Sequence, residues 1–282
     1  MKRTVFIICI FTLTTTTSFS QQSEFLKLSG PYLGQTPPGM IPEVFAPGII
    51  STKEDETAFE ISSSGKEIVF IRKNRVMILT MNSDGSWNKP AVAPFSGNSI
   101  DDESCFSPGG NEIYFNSRRN CPGSKYGANL WVTKKIAGKW TEPEPVQITV
   151  NTKQFHAPSI ASNGNLYDTG IIKFNYENGN YLSVQELTPL LQGMSPFVAP
   201  DESYLIFSKR LPNHSPDLYI TFKNKEGKWT NPISLGDKIN SPKMEGNSFV
   251  TSDGKYLFFT RAFDIYWVSA KIIDALRPDN NN

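Results

Sequence analysis

The phrase GKWTEPEPV, running from Gly138 to Val146, returns 89 positions later as GKWTNPISL, and a looser copy, GSWNKPAVA, begins at Gly85. A phrase repeated at such long spacing marks a repeated structural unit. A second repeat runs through the whole chain: ISSSGKEIVFIRK from Ile61, FSPGGNEIYFNSRR from Phe106, IASNGNLYDTG from Ile160, VAPDESYLIFSKR from Val198 and VTSDGKYLFFTR from Val250. Their turn positions Gly65, Gly110, Gly164, Glu202 and Gly254 are 45, 54, 38 and 52 residues apart. Inside each unit, short runs of Ile, Val, Phe and Tyr are split by Ser, Asn, Asp, Gly and Pro, which is a strand pattern. No long helical periodicity competes with it; only AKIIDAL, Ala270 to Leu276, suits a single helical turn.

The fourth unit can be read strand by strand. MSPFVA, YLIFSKR, DLYITFK and NPISLG are four successive strands, and the GKWT phrase falls between the third and the fourth. Gly227 supplies the permissive backbone of that outer hairpin. Trp229 lays an apolar plate on the sheet. Pro232 opens the outermost strand, where a missing N–H costs no ladder bond. Trp87, Trp140 and Trp229 are therefore read as architectural rather than as carbohydrate-stacking residues, because each recurs at one structural position.

Four-stranded sheets repeated about every 40–50 residues are propeller blades. The last unit supplies GNSFVTS, KYLFFTR and DIYWVSA but no fourth strand, whereas PEVFAPGIIS, from Pro42, resembles the outer-strand segments. The expected fold is all-β: a single propeller of four-stranded antiparallel blades, five by repeat count, closed by an N-terminal strand that completes the last blade. Six blades would require further strands within residues 21–50. The expected organisation is a signal peptide over 1–20, a linker over 21–41, the propeller over 42–278 and a disordered tail over 279–282.

The signal peptide is read from Lys2 and Arg3, an apolar core from Val5 to Leu13, and the small-x-small site Ser18-Phe19-Ser20. Export to the periplasm, the cell surface or beyond follows, with no membrane span after cleavage. Twenty-eight Lys and Arg against 27 Asp and Glu leave a net charge of +1, so no cationic excess points to nucleic acid. Export also leaves open a bridge between Cys105 and Cys121; a buried thiol in a strand and a second one in a loop is the alternative. Two thiols are too few for a four-ligand zinc site, and no cofactor or metal is expected.

FSPGGNEIYFNSR and VTSDGKYLFFTR, with the following DLYI or DIYW, resemble the TolB-like β-propeller repeat, the WD-like repeat of exported bacterial proteins. The resemblance covers residues 42–278. It implies a scaffold or binding module of the periplasm or cell surface, with an envelope protein, peptide or glycan as partner. The third unit departs from the pattern, with LYDTG in place of the basic strand end and the Asp-Leu-Tyr.

Catalysis is the second reading. Only two histidines occur, and no G-x-S-x-G elbow, H-E-x-x-H or phosphate-cradling glycine loop. Carboxylates remain: Glu56, Asp101, Asp102, Glu103 and Glu245 open the first strands, near the channel, with His156. Five-bladed propeller glycosidases place paired carboxylates on inner strands; some TolB-like pectin-fragment lyases use metal-binding histidines there, a set not matched by His156 alone. Against catalysis, the second strands end in Arg72, Arg118, Arg119, Lys209, Arg210 and Arg261, suited to pair with those acids between blades. The favoured reading is a non-catalytic binding propeller, with a carbohydrate-active hydrolase or lyase as the alternative. Its ligand face is expected to carry Asp101, Asp102, Arg118, Arg119, Tyr126, His156, His214 and Glu245, because the loops there are long. The opposite face, made of tight turns such as SPGG and SDGK, is expected to offer little surface.

Overall fold

The computed structural model describes residues 28–124, 126–148, 155–187 and 191–278. The expected signal peptide, the linker up to residue 27 and the tail at 279–282 lie outside the described residues. Five antiparallel sheets follow one another along the chain. Blade 1 holds β2 (Glu56–Ile61), β3 (Glu67–Arg72), β4 (Arg75–Thr80) and β5 (Ala91–Val92). Blade 2 holds β6 (Asp101–Phe106), β7 (Glu112–Ser117), β8 (Asn129–Ile136) and β10 (Glu144–Pro145), with β9 (Lys139–Trp140) paired to β8. Blade 3 holds β11 (Ser159–Ile160), β12 (Leu166–Asp168), β13 (Ile172–Glu177) and β14 (Asn180–Glu186). Blade 4 holds β15 (Met194–Val198), β16 (Tyr204–Lys209), β17 (Asp217–Phe222) and β18 (Ile233–Ser234). Blade 5 combines β19 (Glu245–Val250), β20 (Tyr256–Arg261) and β21 (Asp264–Ser269) with β1 (Glu43–Val44) from the N-terminal side.

The ring closes as the repeats predict. β1 pairs antiparallel with β21, Glu43 opposite Trp267 and Val44 opposite Tyr266. The next residue, Phe45, is fully buried and meets Phe59, Phe258 and Trp267 at 5.1 Å each. A single helical turn, α1 (Lys271–Asp274), follows the last strand.

The repeated tryptophan phrase is an outer hairpin in three blades. Trp87, Trp140 and Trp229 pair with Met81, Lys135 and Lys223, each just beyond or at the end of its third strand. Blade 3 lacks the phrase because its third and fourth strands are joined directly by Asn178 and Gly179. Both are left-handed, at φ 50° and 86°, the requirement of a tight type I′ hairpin. The apolar core lies in layers between neighbouring blades. One cluster joins blades 4, 5 and 1, and three smaller ones join blades 1 and 2, 3 and 4, and 2 and 3.

One expectation changes, and of the two readings of the cysteines the structure has the unbridged one. Residues 28–41 do not behave as a linker: Leu33 is fully buried, and Trp87 N donates to Leu28 O at 2.7 Å. Cys105 and Cys121 are free thiols. Cys105 stands opposite Tyr114, whose ring packs on the cluster between blades 2 and 3. Cys121 packs on the cluster between blades 1 and 2. The sheet of blade 2 separates them.

Candidate functional site

First strands begin, and second strands end, on one face of the ring. There Glu56, Asp101 and Glu245 are each fully buried. Arg72 Nε donates to Glu56 at 2.7 Å, Arg119 Nη2 to both oxygens of Asp101 at 2.9 Å, and Arg261 Nε to Glu245 at 2.8 Å. A hydroxyl from the preceding loop completes each set: Thr52 at 2.7 Å, Ser96 at 2.8 Å and Ser241 at 2.6 Å. The same guanidinium groups tie down the incoming chain, with Arg72 on Ile49 O and Ile50 O, Arg119 on Phe95 O, and Arg261 on Ile239 O. They also lie over Phe70, Phe115 and Phe259, 5.0, 5.0 and 5.3 Å from the ring centroids.

This clamp corrects the expected arrangement in two ways. The pairs form within a blade rather than between blades, because Glu56 is opposite Arg72, and Glu245 opposite Arg261, in the ladder. Their carboxylates are also neutralised and removed from solvent, so Glu56, Asp101 and Glu245 are not free acids. Blade 3 reverses the device. Asp168, at the end of its second strand, accepts the N–H groups of His156 and Ala157 at 3.2 and 2.7 Å. Salt links between blades run instead through lysines: Lys135 of blade 2 to Glu67 of blade 1, and Lys173 of blade 3 to Glu202 of blade 4.

Just inside the clamps, four of the five inner strands carry a bulge. The register shifts after Thr57, Asp102, Met194 and Gly246. Ala58, Glu103, Ser195 and Asn247 stand there at φ 49°, 48°, 46° and 44°. Left-handed backbone is uncommon away from glycine, and bulges re-aim side chains near sites. The bulge residues surround the channel. Glu103, Ser195 and Asn247 line both a narrow throat and the wider cavity above it, which encloses about 570 Å³.

That cavity is built mostly from residues that can form hydrogen bonds. Asp102, Glu103, His156, Thr169, Ser208 and Arg210 face it, with Glu54, Asp55, Lys73 and Asn74 at its edge. Phe263 and Met194, 44% and 38% exposed, add apolar surface. Glu103 is half-buried and has no cationic partner among the described residues; Asn247 Nδ2 donates to its Oε2. Burial, with Asp102 and Asp168 nearby, pushes its carboxyl up to about 8 against the pull of that bond. In the throat, burial likewise raises Glu60 to about 8, although Phe106 N donates to it at 2.7 Å. The hydroxyls of Ser104 and Ser248 in the throat, and of Ser208 in the wider cavity, are buried without a hydrogen-bond partner among the described residues.

Of the sequence-predicted residues, Asp102, Glu103, His156 and Glu245 meet at this cavity. Asp101, Arg118, Arg119, Tyr126 and His214 are not among its lining residues. Arg119 is held on Asp101, Arg118 and His214 are exposed, and Tyr126 is half-buried in the β7–β8 loop. Glu60, Ser195 and Asn247 were missed by sequence reasoning. Among the described residues, no group of three or more His, Cys, Asp or Glu side chains is disposed to hold a metal ion, and no helix is long and apolar enough to cross a membrane.

The sequence matches no family model and no curated protein. Solved structures do match. A protein assigned as TolB from Agrobacterium tumefaciens aligns with a TM-score of 0.50 at 14% identity, over 74% of this chain and 71% of that one. TolB from Acinetobacter baumannii aligns at 0.44 and 12%, over 78% of this chain and 55% of that one. The tricorn protease aligns at 0.49 and 13%, over 77% of this chain and 25% of that one. At 14% identity the first of these likenesses is one of fold alone, and the chain is a five-bladed β-propeller.

Proposed function

We propose that the protein is an exported carbohydrate-active enzyme, of hydrolase or lyase type, working at the channel mouth. The observation that carries this is Glu103: a carboxyl without a counter-cation, aimed from a strained bulge into an open cavity, with its pKa pushed up to about 8. At neutral pH such a group is protonated, as a general acid must be to donate to a departing sugar oxygen. Asp102, next to it on the cavity wall, supplies the second carboxyl that such chemistry needs. Asn247 fixes the orientation of Glu103. Ser195, Thr169, Asn74 and Arg210 offer hydrogen bonds to hydroxyl groups, and exposed Phe263 offers an apolar face to a sugar ring. The test is a turnover screen on envelope and plant polysaccharides with the wild type and Glu103→Gln. The variant keeps an acceptor for Asn247 but lacks the proton. Turnover should fall about 10²–10⁴-fold; unchanged turnover sinks the reading.

A non-catalytic module for an envelope protein, peptide or glycan is the second reading. Exposed Met194, Leu211 and Phe263 on this face favour it, since apolar anchors near charged side chains suit an interface. Arg118 and His214, exposed on the long loops, would then make its rim. A partner captured on this face with equal affinity by wild type and Glu103→Gln, and no turnover of any glycan, would favour it.

A further inference from the structure

The face of tight turns holds a second cavity, of about 380 Å³. It lies between blades 5 and 1, walled by the β2–β3 turn (Ser62, Ser63, Ser64, Lys66), the β19–β20 turn (Thr251, Ser252, Asp253) and the N-terminal segment at Tyr32, with Trp87 also lining it. The expectation that this face offers little surface fails because that segment adds a wall that the blade repeat does not contain. The volume is within the range of small-molecule sites, roughly 300–1,000 Å³.

The wall is stiff. Tyr32 and Leu33 are consecutive left-handed residues, at φ 53° and 58°. Such backbone persists only where its surroundings over-determine it. Here Leu33 is fully buried, the Tyr32 ring packs at 5.0 Å on Tyr256 and 5.4 Å on Trp267, and Trp87 Nε1 donates to Gly30 O at 2.7 Å. A preformed wall of this kind reduces the ordering cost of binding.

The polar groups around it are unbalanced. Asp253 is already engaged, 2.9 Å from Lys255 Nζ and accepting from Thr251 Oγ1 at 2.7 Å. Lys66, Ser63 and Ser252, all exposed, and half-buried Tyr32 line the cavity, and among the described residues their side chains make no hydrogen bond or ion pair. Burial, then Asp253 and Tyr256, push the Tyr32 hydroxyl up to about 12, so it remains a donor. What is left over is one positive charge, three hydroxyls and two aromatic rings.

We propose that this cavity is a second binding site, for a sugar ring bearing a carboxylate, of hexuronate size. Lys66 takes the carboxylate, Ser63, Ser252 and Tyr32 bond the ring oxygens, and the Tyr32 and Trp87 rings cover its apolar face. A neutral sugar gains nothing from Lys66, whose exposed ammonium stays in water, and cationic ligands meet no free acid. The proposal does not rest on catalysis at the channel mouth, which lies on the other face.

The experiment is calorimetric titration of the full chain with galacturonate, glucose and benzoate. Lys66→Glu alters an exposed side chain and should weaken galacturonate at least tenfold. Lys139→Ala, an exposed side chain that lines neither cavity, should leave it unchanged. Glucose and benzoate should each bind at least tenfold more weakly than galacturonate. No galacturonate binding at millimolar concentration overturns the proposal, as does binding that survives Lys66→Glu or disappears with Lys139→Ala. Equal binding of glucose overturns the role of the charge, and equal binding of benzoate overturns the sugar. Loss of turnover in Glu103→Gln, or its absence, affects none of these results.

Discussion

Asp101 and Glu103 stand two residues apart on one strand and live in opposite environments. Asp101 is fully buried, held by Arg119 and by the hydroxyls of Ser96 and Ser117 at 2.8 and 2.6 Å. Glu103 has one amide donor, no cation, and a carboxyl raised to about 8 by burial. In a regular strand, residues two apart face the same side. The bulge that places Glu103 at φ 48° breaks that rule and turns it toward the channel. One strand therefore provides a structural acid and a chemical one. The clamp binds the loop to the blade; the bulge presents a carboxyl where a ligand can reach it.

The strongest way to break this comparison is to remove the cation from the structural side. Arg119→Ala leaves Asp101 buried and uncompensated, and breaking a buried pair costs about 3–5 kcal/mol. The guanidinium also packs over Phe115 and Trp131 at 5.0 and 5.3 Å, so packing is lost with the charge. Urea unfolding should show the full loss, and Arg261→Ala should behave alike because its clamp is built the same way. A loss below about 1 kcal/mol would mean that Asp101 finds water or a proton easily, and the two acids would no longer be different in kind.

The chemical side is sharpened by pH. The unfolded chain releases the Glu103 and Glu60 protons near the ordinary value of 4.5, whereas the folded chain holds them to about 8. Between those values the folded state binds more protons, so stability declines as pH rises from about 4.5 and is lowest above 8. Glu103→Gln should remove part of that decline and gain about 1–2 kcal/mol at pH 9 over the wild type, allowing for water at the cavity. Asp101→Asn should show no such gain. If both variants respond alike, burial alone governs this strand and the bulge is incidental.

Glu202 provides the opposite sign. Burial would raise its carboxyl, but Asn165, Lys223, Lys173 and Tyr167 donate to it and outweigh burial, bringing it to about 2. Its contribution is therefore present above about 4.5 and lost as pH falls toward 2. Because Asn165, Tyr167 and Lys173 belong to blade 3 and Glu202 to blade 4, Glu202→Gln should flatten the acid limb of the stability curve. That acid limb should be unchanged in Glu103→Gln.

The repeats make the blades, the closure and the outer tryptophan hairpins legible, because each depends on local patterns that recur. The clamp residues can also be found in the sequence, but their pairing cannot. Which Arg meets which acid depends on ladder register. The bulges are the least legible feature, since a bulge shifts the period-two alternation on which a strand reading rests. A usable signal was present all the same. Aligned on their starts, ETAFEI, DDESCF, GMSPFV and EGNSFV put Ala58, Glu103, Ser195 and Asn247 in one column. Two columns later, Glu60 stands where the others have Cys105, Phe197 and Phe249. A lone acid in an apolar column marks a buried carboxyl, and its raised pKa follows from that position. The N-terminal wall of the second cavity has no counterpart in any repeat, so no alignment could reveal it.

The smallest expected effect tests whether burial or charge pairing as such separates the clamp from other ion pairs. Lys73 and Glu54 form a pair at 2.9 Å at the cavity edge, with side chains 67% and 45% exposed. Distance alone would rank it with Arg72–Glu56 at 2.7 Å, where the Glu56 side chain is inaccessible. Water already solvates both exposed groups, salt screens them, and holding two long side chains together costs entropy. Lys73→Ala should therefore change unfolding stability by less than about 0.5 kcal/mol, and by less still at high salt. A loss comparable to that of Arg119→Ala would show that pairing matters on this face irrespective of burial. Glu54 would then have to be counted with the structural acids rather than with the groups a ligand meets.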